Sequence, residues 1–561
     1  MALLSVFGVL RPAHAQQPEA QQEYPTFGEI IDVQVINVDV VVTDRKGNPI
    51  AGLKKSDFEV LENGVLQNLT NFYEVRESQG RTVTITPAQD ASQPPVIEET
   101  ETPPPNLQRR VIFFVDNLSL SPFNRNRVFK AMKEFAQDVL RPGDQAMIAT
   151  WNRSMIVRLP FTPDARLIQD TLDQISGESG LGIASMSERR STESRIREAD
   201  TRGEAVAIAR SYAQSIDHDL RQTIVGINAL MSTLAGIEGK KILVVTSEGF
   251  YMQPGAEMYH FIDYIARTKA EWSGVGGTMI DALSFNATSL IQSVANTANA
   301  HDITLYAIHA AGLSGISGTS ADQSEPVSLE VEMAALNNST DSLQLMAEMT
   351  GGVATVGTNN FAGGFDQIER DLGAYYSLGY RSSTERVDRQ RGLEIRLTDP
   401  AKRKQYTVRS RTSFVEKSVP TEMTDRVIAN LFNPGAKNDM GIFLTTGRPT
   451  SRNDGTYLVS IQIHVPMTSL TPVPQGEIQR ASFSVWVVAA DPRGDMSDVQ
   501  SQDHTFTMNP DELTAVAGRH YTYQIDLVLN KGRNRISVGV IDQFSRLKGF
   551  AQTDILALDL R

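Results

Sequence analysis

Between Arg109 and Val356, short apolar runs alternate with stretches of helical period, and this alternation limits the chain more than any other feature. Val111–Val115 (VIFFV), Ala146–Trp151, Lys241–Thr246 (KILVVT) and Ile303–His309 are short and apolar, as strands buried on both faces are. Met155–Leu159 reads as a further strand and Val353–Val356 as a short last one. Val128, Met132, Phe135 and Val139 recur at helical spacing, as do Ala165, Ile168, Leu172 and Ile175. Ala205 through Leu234 predicts one helix of about 30 residues, roughly 45 Å long. Ile280 to Val294 marks another helix and Leu343–Met349 a short one. Buried strands alternating with helices predict a doubly wound, parallel α/β sheet over 109–372. Residues 176–202 are charged and aperiodic and read as a loop or insertion, and Gly312–Glu332 as a Gly/Ser-rich loop.

The flanks have a different period. Ile36, Val38, Val40 and Val42 alternate, whereas Ile31, Val33 and Val35 lie in the opposite phase, which predicts a bulge near Val35-Ile36. Asn63-Gly64 between Phe58–Val60 and Val65 predicts a hairpin. Residues 28–77 therefore form an N-terminal β domain. Residues 78–108 read as a Pro-rich linker, because six prolines between Pro87 and Pro105 and the acidic run at Glu98 cannot support a core. After Tyr375 the pattern returns to β. The segment 373–416 is expected to pair with the N-terminal β domain, since each is too small for a core of its own. Residues 417–561 read as a C-terminal β-sandwich, with clean alternation from Tyr521 to Leu529 and back through Ile536, Val538 and Val540. The expected fold class is thus multidomain α/β plus β, with β-sandwich-like modules flanking the doubly wound sheet.

The chain has 561 residues, enough for about three to five domains. Its 53 Lys+Arg against 66 Asp+Glu leave a net charge of −13, which argues against nucleic acid as the main partner. It has no cysteine, which removes disulfides, thiolate catalysis and thiolate metal sites. Leu3–Leu10 is apolar, and Ala13-His14-Ala15 follows in the pattern that signal peptidase reads, although no Lys or Arg precedes the run. Residues 1–15 are therefore expected to be a signal peptide, 16–27 a disordered lead-in, and the mature protein secreted or periplasmic. No later run reaches the ~18 apolar residues of a transmembrane anchor.

Ligands bind open α/β sheets at the carboxyl ends of the strands. The first strand ends in Asp116-Asn117-Leu118-Ser119-Leu120-Ser121, an acid or amide with two spaced hydroxyls, which suits a hard divalent ion. With this loop, Val40–Gly47, Ser56–Gly64, Thr246-Ser247-Glu248-Gly249-Phe250 and Tyr375–Tyr380, the chain resembles the VWFA-related proteins found largely in acidobacterial secretomes. Its α/β part resembles the von Willebrand factor type A fold. That resemblance implies an exported interaction or adhesion-type protein with a protein partner. It also implies Mg²⁺ or Mn²⁺ bound by Asp116, Asn117, Ser119, Ser121 and Glu248.

The chain departs from the family pattern, Asp-x-Ser-x-Ser. Asn117 stands where the acid belongs, with Asp116 one residue early, and Glu248 is displaced by one from the acid of the family's Thr-Asp-Gly loop. The usual middle Thr has no counterpart. Two readings therefore stand side by side, a working divalent site and a metal-free scaffold with a degenerate site. In the second, Ser119 and Ser121 cap a helix and Glu248 is a loop acid. No Gly-x-Ser-x-Gly elbow, P-loop or His-Glu-x-x-His occurs, and no nucleophile with a base is found, so a hydrolase ranks below both. The expected function is binding rather than catalysis. Asp217-His218-Asp219 reads as a solvated helix face, and Tyr375, Tyr376 and Tyr380 as packed sheet residues.

Overall fold

A computed structural model describes residues 35–558, except 79–80, 87–95, 101, 105–106, 273–277, 316–328, 383, 385, 434 and 517. The expected signal peptide (1–15), the lead-in (16–27) and the opposite-phase residues Ile31 and Val33 lie outside the described residues. The chain divides into two compact units, Val33–Ser232 with Glu238–Glu416, and Lys417–Arg561 with Thr233–Ile237.

The first unit opens with strands β1 (Val35–Thr43), β2 (Phe58–Glu62), β3 (Val65–Gln67) and β4 (Leu69–Ser78). Pairing of β1 runs unbroken from Val35↔Arg381 to Val40↔Tyr376, so the expected bulge does not form there. Strands β5 (Arg81–Thr86) and β6 (Val96–Thr100) follow, inside the segment read as a linker. That reading is corrected for these residues. The composition argument concerned side-chain burial, and Val96 and Ile97 do remain exposed. Instead, β5 is held by backbone pairing to β4, and β6 by pairing to β5.

The α/β region comes next, as β7 (Arg109–Asp116), α1 (Pro122–Val139), β8 (Gln145–Trp151), β9 (Met155–Thr162), α2 (Ala165–Ser176), α3 (Gly182–Glu198) and α4 (Arg202–Thr233). It continues through β10 (Lys240–Ser247), α5 (Ala256–Ala266), α6 (Met279–Ala282), α7 (Thr288–Ala300), β11 (Ile303–His309), α8 (Leu329–Met349), β12 (Ala354–Thr355) and α9 (Phe361–Gly373). The six strands lie in the order β12-β11-β10-β7-β8-β9. All neighbours are parallel except β8 and β9, which form an antiparallel hairpin. The first strand is central and is buried along almost its whole length. Val111, Phe113 and Val115 share a core with α1, α2 and α9. Ile112 and Phe114 face the opposite side, on which α4 closes against Trp151 so tightly that a Cβ on Gly226 would lie 2.4 Å from the indole.

Two expectations are corrected here. Residues 182–198 form a helix and not a loop. Only Gly182, Thr192 and Ile196 of α3 are buried, too few to print a helical period on the sequence. Likewise α8 begins at Leu329, well before Leu343.

The unit closes with β13 (Ala374–Arg381), β14 (Gln390–Leu397), α10 (Pro400–Gln405), β15 (Thr407–Arg409) and β16 (Ser413–Val415). These strands interleave with the N-terminal ones in two sheets, β15-β1-β13-β4-β5-β6 and β16-β14-β2-β3. Val38, Val40, Val60, Phe72, Tyr376, Leu378, Tyr380 and Ile395 form their joint core. The buried Tyr376 hydroxyl donates to the Ile50 carbonyl at 2.8 Å and accepts from the Leu53 amide at 3.1 Å.

The second unit begins with α11 (Val419–Phe432), so residues 417–561 are not purely β. Ser418 caps this helix, with proline in the first turn, and Met423, Val427 and Leu431 pack at i, i+4, i+8 against Trp486, Val488 and Ile541. The remaining strands form a four-stranded sheet built around Tyr457–Pro466 and a five-stranded sheet built around Ile478–Ala490, which share one apolar core.

Candidate functional site

Parallel pairing of β7 with β10 sets Val115 opposite Thr246, so Asp116 and Ser247 emerge side by side at the carboxyl end of the sheet. Asp116 is 2% exposed. Its Oδ2 accepts from Ser119 Oγ at 2.6 Å and from Ser247 Oγ at 2.8 Å, and the two hydroxyl oxygens lie 3.0 Å apart. Three oxygens from two strand ends thus form a small triangle. The Glu248 amide donates to Ser119 Oγ at 3.1 Å and the Gly249 amide to Ser247 Oγ at 3.0 Å, which fixes both hydroxyls.

Burial holds the Asp116 carboxyl above its ordinary pKa, and the hydrogen bonds from Ser119 and Ser247 oppose that rise. No Lys, Arg or His forms an ion pair with it among the described residues. A buried carboxylate held by hydroxyls and loop amides alone has no cation beside it among the described residues.

The other sequence candidates are placed elsewhere. Asn117 Oδ1 accepts from Arg125 at 3.2 Å, behind the loop. Ser121 caps α1, its Oγ accepting from the Asn124 amide at 3.4 Å. Glu248 Oε1 accepts from the Ser121 amide at 2.8 Å and from Asn124 Nδ2 at 3.0 Å, so its charge sits at the amino end of α1. Of the five candidates, Asp116 and Ser119 converge. Ser247 joins them, a residue that no local pattern in Thr246-Ser247-Glu248 marks, because only the register of β10 against β7 places its hydroxyl beside Asp116.

The oxygen triangle suits a small hard cation in one respect. Oxygens at about 2.1 Å from Mg²⁺ in an octahedron lie roughly 3 Å from one another, close to the spacings found here. It offers only one carboxylate, and the described residues contain no group of three or more His, Cys, Asp or Glu that would hold a metal.

A pocket of about 330 Å³ opens beside this triangle. Asp116 and Ser119 line it, together with Ala184 and Glu188 of α3 and Ile216 and Asp219 of α4. Asp219 is paired with Arg153 at 2.8 Å, while Asp217 pairs with Arg221 at 2.7 Å, so the Asp217-His218-Asp219 run is split between separate ion pairs.

No protein-family model matches the chain, and no curated protein matches it. Solved structures that resemble it include an aerotolerance-related membrane protein from Bacteroides fragilis carrying multiple mutations to serines, at 11% identity and a TM-score of 0.24. That likeness covers 47% of this chain and 98% of the other. The conserved hypothetical protein BatB from Bacteroides thetaiotaomicron is 8% identical, with a TM-score of 0.21, covering 47% of this chain and 96% of its own. The PilB minor pilin from Streptococcus sanguinis is 10% identical with a TM-score of 0.25, covering 62% and 90% respectively. Similarity at this level assigns no activity to the chain. No helix among the described residues is long and apolar enough to cross a membrane.

Proposed function

We propose that the chain is an exported interaction protein of the von Willebrand factor type A-like kind. Its doubly wound α/β region binds a protein partner at the carboxyl ends of the strands, where Asp116, Ser119 and Ser247 hold Mg²⁺ or Mn²⁺. One observation carries this reading: a buried carboxylate that two fixed hydroxyls contact at 2.6 and 2.8 Å and no cation neutralises. The sheet order, with the first strand central, supports the family resemblance. Export rests on Leu3–Leu10 and Ala13-His14-Ala15. A bound divalent ion would supply the positive charge that draws a carboxylate from the partner. Asp116 supplies the only protein charge and the two serines orient it, so intrinsic affinity is weak.

A second reading is a metal-free structural or assembly scaffold. The engagement of Asn117, Ser121 and Glu248 by Arg125 and the start of α1 favours it, since three of the five expected ligands already have partners.

Titration calorimetry with Mg²⁺ and Mn²⁺ tests the choice. Binding that Asp116→Ala abolishes and Ser247→Ala weakens, with the circular dichroism spectrum unchanged, supports the metal-assisted reading. No heat with either ion, alone or with an established partner present, leaves the scaffold.

A further inference from the structure

The pocket beside Asp116 is walled by the segment that has no helical signature in the sequence, and its docking is specific. The Leu181 amide donates to the Asn117 carbonyl at 3.1 Å. A Cβ on Gly182 would lie 2.5 Å from the Ser119 oxygen, and one on Gly180 2.8 Å from the Leu120 oxygen, so both glycines permit a backbone approach that no other residue allows. Arg125 donates to the carbonyls of Ser176 at 3.1 Å and Glu178 at 2.7 Å, and Arg158 pairs with the Glu178 carboxylate. Further along α3, Arg189 faces Glu257, a fully buried carboxylate on α5. At its carboxyl end Lys269 Nζ donates to the carbonyls of Arg197 at 2.8 Å and Ala199 at 3.0 Å, so the helix is tied down at both ends.

The chamber it makes combines apolar walls with unequal charge. Leu118, Leu181, Ile216, Leu220 and Phe250 supply apolar surface. Asp116, Glu188 and Asp219 bring three carboxylates against the single guanidinium of Arg153, which already pairs with Asp219. Its volume of about 330 Å³ lies within the roughly 300–1,000 Å³ typical of small-ligand sites.

We infer that this pocket binds an ammonium or guanidinium group carried on an apolar stem, with Asp116 and Glu188 facing the cation and the Leu118–Ile216–Phe250 surface covering the stem. The group comes either from a free amine or from a lysine or arginine side chain of a partner. The inference shares Asp116 with the proposed metal site but needs no metal, and the two cations compete for that carboxylate.

The test uses the full chain in chelator, titrated with hexylamine, hexanol and hexanoate. A lysine-containing peptide and its acetyl-lysine form serve as the second arm. Hexylamine should bind at least about tenfold more tightly than hexanol or hexanoate, and Mg²⁺ should weaken it. Ala184→Trp, which fills the chamber from α3, should reduce amine affinity by about tenfold or more while leaving Mg²⁺ binding in place. Asp116→Asn should remove both. Tighter binding of the lysine peptide than of hexylamine, lost on acetylation, identifies a partner side chain as the source. The reverse order identifies a free amine. Hexanol binding as well as hexylamine, or amine affinity unchanged in Ala184→Trp, overturns the inference. Mg²⁺ binding without amine binding overturns it and leaves the proposed function standing, whereas amine binding without Mg²⁺ binding does the opposite.

Discussion

Two buried aspartates in the same unit are treated in opposite ways. Asp371, on α9, is 1% exposed, and its carboxylate is fully matched. Arg409 donates to it twice, at 2.8 and 2.6 Å, Tyr306 donates at 3.0 Å and Gln367 at 2.8 Å. Asp116 is buried to the same degree, yet only hydroxyls and loop amides reach it. The first arrangement welds α9 to β11 and β15, and the acid is consumed in the fold. The second leaves a charge unmatched at the end of the sheet where ligands bind α/β proteins. An acid kept buried without a cation costs stability unless a ligand supplies one, so the contrast separates a structural carboxylate from one held for binding.

The largest expected effect sharpens that contrast from the structural side. Asp371→Ala leaves the half-buried Arg409 guanidinium without its carboxylate and should cost about 3 kcal/mol. Thermal unfolding should fall by roughly 4 °C for a unit of this size. A loss under about 1 kcal/mol would show that Asp371 is no more essential than a surface pair.

Next in size is Gly182→Val. The added side chain meets the Ser119 and Leu120 backbone and should displace α3, at a cost of about 1–3 kcal/mol. Limited proteolysis should then cut within 182–198 while the sheet stays protected. An unchanged digestion pattern would mean the loop at 117–121 yields freely. Smaller again is the effect of Mg²⁺ on the wild-type chain. At tenfold excess over its dissociation constant it should add about 1.4 kcal/mol, and nothing in Asp116→Asn. Equal stabilisation of both proteins would place the ion elsewhere.

The same two regions show what the sequence makes legible. The runs at Val111–Val115, Lys241–Thr246 and Ile303–His309 were readable because residues buried on both faces leave no other pattern. The Tyr375–Tyr380 strand was readable for the same reason, since Tyr376 and Tyr380 pack inward. α3 was not, because glycine contacts and arginine anchors hold it in place of an apolar stripe. The strands at 81–86 and 96–100 were hidden because backbone pairing at a sheet edge asks little of side chains. At the site, Asp116 and Ser119 were found from their place after a buried strand. Ser247 depends on the register of β10 against β7, which no local pattern contains. Nor did the sequence mark Glu248 and Ser121 as partners at the start of α1, an arrangement made only when residues 127 positions apart meet.

The smallest effect is also the most direct test of whether the Asp116 charge is unmatched. Burial raises its carboxyl pKa in the folded protein above the ordinary 3.8. A raised folded pKa favours the protonated form, so the stabilising contribution is full below the unfolded value and is lost as pH rises through the folded one. Above that window the ionised group lowers stability by a constant amount. Asp116→Asn removes the charge and keeps the shape. Unfolding of the wild type and of Asp116→Asn should therefore be compared in metal-free buffer as pH is raised from the ordinary carboxyl range to neutrality. The account predicts that the variant is as stable as the wild type at the acid end and more stable at pH 7. A variant less stable than the wild type throughout, by the several kcal/mol expected of Asp371→Ala, would show that the Asp116 carboxylate is structural and contradict the account.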